Sequence, residues 1–92
     1  MKKVHTFAEY MADEERISEE DRLAVAHEAE LIERFIQARN ELSVSQRELA
    51  EISGIQQPAI SRLENRKSSP TIDTLLRLLI PLGYTIKIVP IE

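Results

Sequence analysis

The sequence has 92 residues, enough for one small core, because a second core would leave too few apolar side chains for either. It has no cysteine, which excludes a disulfide scaffold, a thiolate metal site and a cysteine nucleophile. Its basic first residues lead into an acidic stretch rather than an apolar run. We therefore expect no signal peptide or membrane span, and a reducing, cytoplasmic setting.

The net charge of −4 is unevenly distributed along the chain. Residues 1–30 carry four basic and nine acidic side chains, whereas residues 31–92 carry eight basic and seven acidic ones. Within residues 56–68, Arg62, Arg66 and Lys67 outnumber the single acid, Glu64. The negative total therefore does not exclude an anionic partner such as a nucleic acid, since the local distribution decides the field at a surface.

Residues 1–29 are predicted to form an acidic helical extension. Three apolar side chains have the i, i+3, i+4 spacing of one helix face: Phe7, Tyr10 and Met11. This stripe predicts a short helix over about residues 6–15. Ser18, with Asp21 three residues later, resembles a capping box, and a long helix is predicted from there to about residue 42, because no Gly or Pro interrupts it.

Three shorter helices are predicted after the long one. Ser45 and Glu48 form a second capping box, which predicts a helix that begins after Ser45 and ends before Gly54. The next helix runs from about Gln57 to residue 65, with Pro58 tolerated in its first turn. A loop over residues 67–70 leads to a fourth, largely apolar helix that runs from about residue 71 to 83.

The last residues, 84–92, are predicted to hold a short β-strand, because residues 84–89 are rich in β-formers and roughly alternate. A lone strand has no sheet to join in a helical domain. We expect it to pair with the same strand of a second copy, with Tyr84, Ile86 and Ile88 forming the dimer contact.

The residues from 45 to 65 have the pattern of two helices that meet at a sharp angle. Ala50 supplies a small residue at the close approach and Gly54 supplies the turn. The apolar anchors are Leu49, Ile55, Ile60 and Leu63. The polar side chains left on the outer face of the second helix are Gln57, Ser61, Arg62 and Asn65, which can donate to and accept from base edges and phosphates.

This segment resembles the lambda-repressor-like helix-turn-helix of the Xre family. The matching residues are Gln46, Leu49-Ala50, Gly54, Ile60 and Leu63-Glu64-Asn65. The resemblance implies an all-α helical bundle over residues 30–83, with an N-terminal helical extension and the C-terminal strand outside it. Arg66 departs from the pattern, because the family often has Gly after Glu-Asn.

The resemblance also implies roles for individual residues in binding operator DNA. Gln46 would bind a phosphate, Gln57 and Arg62 would contact base edges, and Gln56 and Ser61 are weaker candidates for the same face. The residues expected beside the DNA backbone are Asn65, Arg66 and Lys67. Two alternatives stay open: Arg62 pairs with Glu64 on the surface, or Gln56 only caps its helix. Glu64 is expected to brace the following loop, since DNA would repel it.

The order of parts resembles bacterial antitoxins of the HigA type, which bind a small basic ribonuclease resembling RelE and repress their own operon. The resemblance implies a homodimer that forms a heterotetramer with the toxin. The candidate toxin contacts are Phe7, Tyr10, Met11, Glu14 and Ile17, an apolar set among carboxylates. One alternative is that the extension packs on its own domain or dimer mate, and another is a stand-alone or prophage-type repressor without a toxin.

An enzyme is not expected, and neither is a cofactor. The sequence has no Gly-rich phosphate loop and no nucleophile motif. His27 and Glu30 have helical spacing and could belong to a metal site, but a solvated helix face explains them better, so we predict no metal.

Overall fold

A computed structural model describes residues 14–91 of the chain, with side chains from Ser18 onward. Its helices are α1 (Glu14–Glu41), α2 (Gln46–Ser53), α3 (Gln57–Glu64) and α4 (Ile72–Leu79), and α4 continues into a 3₁₀ turn, Ile80–Leu82. The predicted all-helical fold is thus confirmed for the part of the chain that the structure describes.

Helix α1 is longer at its start than the sequence predicted. The predicted beginning at Ser18 is wrong, because the helix is already formed at Glu14. A capping box works only where the residues before it leave the helix, and nothing between Glu14 and Ser18 is a Gly or a Pro. The short helix predicted over residues 6–15 lies almost wholly outside the described residues.

The chain divides into two units, Met1–Glu30 and Leu31–Glu92. The core belongs to the second unit and is built from one face of each of its helices. Its buried members are Ile32, Phe35, Ala38, Leu49, Ile60, Leu63, Leu75, Leu78, Leu79 and Leu82. Phe35, Leu49, Ile60 and Leu78 are completely enclosed. Aliphatic side chains and one Phe therefore hold the bundle together.

The starts of the short helices follow the local sequence. Ser45 Oγ accepts from the backbone N–H of Glu48 at 3.0 Å, and the Ser45 N–H donates to Glu48 Oε1 at 2.9 Å. The predicted capping box is confirmed. Thr71 caps α4 by accepting from the N–H of Thr74 at 3.1 Å.

The ends of the helical segments use the left-handed backbone region at four positions. Gly54 (φ 79°) and Gly83 (φ 89°) adopt it without a Cβ penalty, whereas Ser43 (φ 57°) and Arg66 (φ 58°) adopt it with one. After α3, the Arg66 N–H donates to the Leu63 carbonyl and the next N–H donates to the Arg62 carbonyl. This pair of bonds is a Schellman motif, and Arg66 stands where glycine is usual.

The predicted C-terminal strand is not seen. Residues 84–91 form no strand ladder with any other described residue of the single chain. A strand needs a neighbour for its N–H and C=O groups, and the helical unit offers none. Ile86 packs against the core, while Ile88 and Val89 are exposed.

Candidate nucleic-acid interface

Helices α2 and α3 pack against each other around a turn set by Gly54. The Gly54 N–H donates to the Ala50 carbonyl at 3.0 Å, and the N–H of Ile55 then donates to Ser53 Oγ at 3.1 Å. Buried Leu49 on α2 and Ile60 on α3 belong to the same cluster. Because one face of α3 is fixed to the core by Ile60 and Leu63, its opposite face is held rigidly toward solvent.

The outward face of α3 carries the residues predicted to contact bases. Gln57, Ser61 and Asn65 follow each other at intervals of four residues, so they lie on one stripe of the helix, and Arg62 borders it. Gln57 and Arg62 are exposed, whereas Ser61 is half-buried. Neither Gln57 nor Arg62 is bonded to another described side chain, so both keep their hydrogen-bonding groups available. Arg62 is not paired with Glu64.

Gln56 occupies the N-cap position of α3, but its side chain makes no capping hydrogen bond. Its exposed amide is therefore available to an external partner. Asn65, at the other end, is engaged: its Nδ2 donates to the Ser61 carbonyl at 2.9 Å and lies 3.4 Å from Ser61 Oγ. The Asn65 side-chain amide therefore braces the end of its own helix.

Glu64 is tied to two residues far from it in sequence. Arg39, from α1, donates through Nε to Glu64 Oε2 at 2.7 Å and through Nη2 to Oε1 at 2.8 Å. Gln46, the first residue of α2, donates through Nε2 to Glu64 Oε1 at 2.8 Å. The Arg39 and Glu64 side chains are 11% and 8% exposed, so this forked ion pair is nearly enclosed.

Gln46, predicted to bind a phosphate, therefore has one amide N–H committed to Glu64 and a second N–H left over. Arg39 Nη1 also donates to the Val44 carbonyl at 2.9 Å, which fixes the loop before α2. Local sequence patterns do not reveal this ion pair, because 25 residues separate Arg39 from Glu64.

Two basic residues follow α3. Arg66 Nη2 lies 3.4 Å from Glu33 Oε1, in a pair whose side chains are 51% and 72% exposed. Lys67 is exposed and makes no ion pair within the described part of the chain. Arg47, next to Gln46 on α2, is likewise exposed and unpaired among described residues. The feature of the sequence that points to Arg47 is a cation in the first turn of a helix, where the helix dipole does not favour positive charge.

The charge of Glu48, at the start of α2, is set by its neighbour Ser45. Hydrogen bonds from the Ser45 backbone N–H and then from its hydroxyl favour the charged form of Glu48 and lower the pKa of this carboxyl from 4.5. Glu48 is therefore a carboxylate at neutral pH, placed in the first turn, where the helix dipole favours negative charge.

The structure describes only some of the residues predicted for toxin binding and for dimerisation. Phe7, Tyr10 and Met11 lie outside the described residues, and Glu14 and Ile17 lie in α1 with side chains that are not described. Tyr84 is 46% exposed, Ile86 is half-buried and Ile88 is fully exposed. Tyr84 also lines a shallow open groove with four residues near the end of α1: Arg34, Gln37, Ala38 and Glu41.

His27 Nδ1 lies 3.9 Å from Glu30 Oε1, and both side chains are more than half exposed. Among the residues from 14 to 91, no group of three or more His, Cys, Asp or Glu side chains is arranged to hold a metal ion. No described helix is both long enough and apolar enough to cross a membrane.

Comparison with known proteins connects this geometry to a family. A family model described as helix-turn-helix matches residues 35–89. An uncharacterized HTH-type transcriptional regulator of Haemophilus influenzae is 42% identical over 86 residues, which cover 94% of this chain and 83% of the relative. A solved structure described as a toxin–antitoxin module from Streptococcus pneumoniae has 37% identity and a TM-score of 0.67, with 97% of each chain covered.

Proposed function

The chain belongs to the Xre-like helix-turn-helix family, and on that premise we propose that it is an operator-binding repressor that serves as the antitoxin of a toxin–antitoxin pair. The observation that carries the DNA-binding part is the outward face of α3. There Gln57 and Arg62 are exposed and unpaired among the described residues, on a helix whose other face is fixed to the core.

The proposed division of labour follows from the chemistry of the side chains. Gln57 suits adenine and Arg62 suits the O6 and N7 atoms of guanine, each worth about 1–3 kcal/mol of discrimination in a good bidentate contact. Gln56 and Ser61 are further candidates for base contacts. The residues proposed for the DNA backbone are Gln46, Asn65, Arg66 and Lys67, because they lie at helix ends or in the loop after α3.

Binding to the chain's own promoter tests this division. Gln57→Ala and Arg62→Ala should weaken promoter binding much more than binding to scrambled duplex. Lys67→Ala should weaken both alike and reduce the slope of log affinity against log salt by about 0.9. Equal losses for all three variants on both duplexes would contradict the assignment, and no promoter preference in the wild type would refute the DNA-binding proposal itself.

The toxin-binding part of the proposal is supported by the acidic first unit and by the solved toxin–antitoxin module, which this chain resembles along almost its whole length. Within the described residues of that unit, Leu23 is 36% and Val25 is 66% exposed on α1, among carboxylates. Exposed apolar side chains on an acidic helix suit a basic protein partner, proposed here as a small ribonuclease. The contact would continue from Phe7, Tyr10, Met11, Glu14 and Ile17.

Co-expression with the product of the neighbouring gene tests the toxin contact. Val25→Arg should abolish co-purification and the relief of growth arrest, because it places a cation against a basic partner. Ile72→Arg is the matched control, since Ile72 is similarly exposed at 72% but lies on α4 in the other unit. Normal protection by Val25→Arg would argue against docking on α1. The absence of any complex with the neighbour would favour the second candidate, a stand-alone repressor, which fits the relative described only as a regulator.

A homodimer is the proposed DNA-binding form, with Tyr84, Ile86 and Ile88 at the contact. The exposed tail and the groove beside Tyr84 support this, because the groove carries both Arg34 and Glu41. A two-fold axis that passes between these two residues would bring each charge to its opposite in the second copy. Ile88→Pro should give a monomer in sedimentation without unfolding the chain, since Ile88 is fully exposed; an unchanged dimer would exclude strand pairing.

A further inference from the structure

Glu64 is an acidic side chain at the end of the helix that carries the proposed base contacts. A free carboxylate there would repel DNA phosphates. Here both of its oxygens are occupied: Arg39 holds Oε2 through Nε, while Oε1 accepts from Arg39 Nη2 and Gln46 Nε2. The charge is balanced by Arg39, and the carboxylate acts as a fixed acceptor for Gln46.

We propose that Glu64 is a positioning residue for DNA binding, which holds the Gln46 side-chain amide in the orientation that presents its remaining N–H to a DNA phosphate. This inference rests on the proposed function of the helix-turn-helix. Gln46 donates 2.8 Å to Glu64 Oε1, and the amide nitrogen keeps one further N–H for an external acceptor. Arg39 is the support that keeps the carboxylate in place.

The hydrogen bond between Gln46 and Glu64 is not needed to hold the helices together. The fork between Arg39 and Glu64 would join α1 to α3 without any help from Gln46. The third bond reaches the first residue of α2, where helix N–H groups also favour an anion. A glutamine side chain held before binding does not have to be ordered by the DNA. The expected gain is about two- to tenfold in affinity, from the usual cost of immobilising one long side chain.

A set of variants of the full chain separates positioning from the ion pair. Arg39→Met combined with Glu64→Gln removes both charges but keeps a carbonyl oxygen that accepts from Gln46. Arg39→Met combined with Glu64→Leu removes the charges and the acceptor, and replacing both ionic partners together avoids an unpaired buried charge. We expect the Gln-containing pair to bind promoter DNA about two- to tenfold more tightly than the Leu-containing pair. Equal affinities, with both pairs folded by thermal melting, would overturn the proposal.

Gln46→Ala provides the second comparison. It should lower affinity for promoter DNA several-fold in the wild type but by less than about twofold in the Leu-containing pair, where the amide is no longer held. A loss of the same size in both backgrounds would mean that Glu64 does not position Gln46. If the wild type showed no preference for its promoter over scrambled duplex, the proposed function would fail first, and the positioning role in DNA binding would fail with it.

The proposal can also be tested on the free wild-type protein, without any variant. The side-chain NH₂ group of Gln46 should have a high NMR order parameter, while that of Gln56, exposed and without a capping bond, should have a low one. Normal promoter binding together with a Gln46 amide as mobile as that of Gln56 would overturn the positioning role and leave the proposed function intact.

Discussion

Replacing Arg66 by glycine should have opposite effects on the stability of the free protein and on its affinity for DNA. Arg66 has φ 58° at the end of α3, a conformation that L-residues adopt at a cost. Its side chain is half exposed and proposed to lie beside a DNA phosphate. Glycine removes the backbone strain and also removes the cation.

The magnitude of the stability change follows from three terms. Relief of the left-handed conformation gains about 1–2 kcal/mol. The extra freedom of glycine in the unfolded chain costs about 0.4–1 kcal/mol. The exposed pair with Glu33, at 3.4 Å, contributes only a few tenths of a kcal/mol. The midpoint of these terms for Arg66→Gly is a gain of about 0.5 kcal/mol, which raises the Tm of a domain this small by about 2–4 °C.

Calorimetry of the free protein and salt-dependent binding to promoter DNA measure the two effects. Arg66→Gly should raise Tm and reduce the slope of log affinity against log salt by about 0.9. Arg66→Ala should reduce the slope equally but leave Tm near the wild-type value, because it keeps the strained φ. Ser43→Gly is the matched backbone control: it relieves the same strain at φ 57°, should raise Tm by a similar amount, and should not change DNA binding.

Two results would refute this reasoning. If Arg66→Ala were as stable as Arg66→Gly, backbone strain would not explain the gain. If Arg66→Gly kept the wild-type salt slope, Arg66 would not neutralise a phosphate, and its place in the proposed interface would have to be abandoned.

Three further outcomes are expected. Glu33→Gln should raise affinity for random duplex about two- to threefold in a salt titration, because Glu33 no longer competes with phosphate for Arg66; unchanged affinity would show that the pair does not compete. Hydrogen bonds from Ser45 lower the pKa of Glu48, so its stabilising contribution is complete well above pH 4.5 and is lost as pH falls through the lowered value. Glu48→Gln should accordingly lose less stability than the wild type between pH 7 and pH 3 in urea titrations, and parallel losses would contradict this. Phe35→Ala should cost about 3–5 kcal/mol in urea unfolding, since Phe35 is fully enclosed; a cost below about 1 kcal/mol would mean that the core does not depend on it.

The features predictable from sequence are those set by neighbours along the chain. The capping box at Ser45 and the turn at Gly54 depend on residues within four positions, and both were predicted correctly. The apolar spacing likewise identified Leu49, Ile60 and Leu63 as anchors, and all three are buried. The same local logic failed at Ser18, because a capping pattern does not reveal whether the residues before it have left the helix.

The features that sequence analysis missed depend on distant or absent partners. Arg39 and Glu64 are 25 residues apart, and the sequence predicts only that Glu64 braces the loop after its helix. Glu64 instead pairs with Arg39, a contact that exists only once the bundle has brought the two residues together. The strand predicted after Gly83 would need a second chain to complete its hydrogen bonds, which the described residues of one chain do not provide.

Among the described residues, both non-glycine residues with a left-handed backbone lie close in sequence to the Arg39–Glu64 ion pair. Ser43 precedes Val44, whose carbonyl Arg39 binds, and Arg66 follows Glu64 by two residues. A buried ion pair adds little stability compared with an apolar pair, and each non-glycine left-handed residue costs about 1–2 kcal/mol. These costs are large for a domain whose total stability is expected to be about 5–15 kcal/mol. An apolar pair could hold α1 against α3 equally well, but it would offer Gln46 no acceptor, and a glycine after Asn65 would end α3 without a cation. The strained residues and the ion pair therefore make the domain less stable than the fold allows. They also hold the Gln46 amide in place and keep a cation, Arg66, in the turn on the side proposed to face DNA.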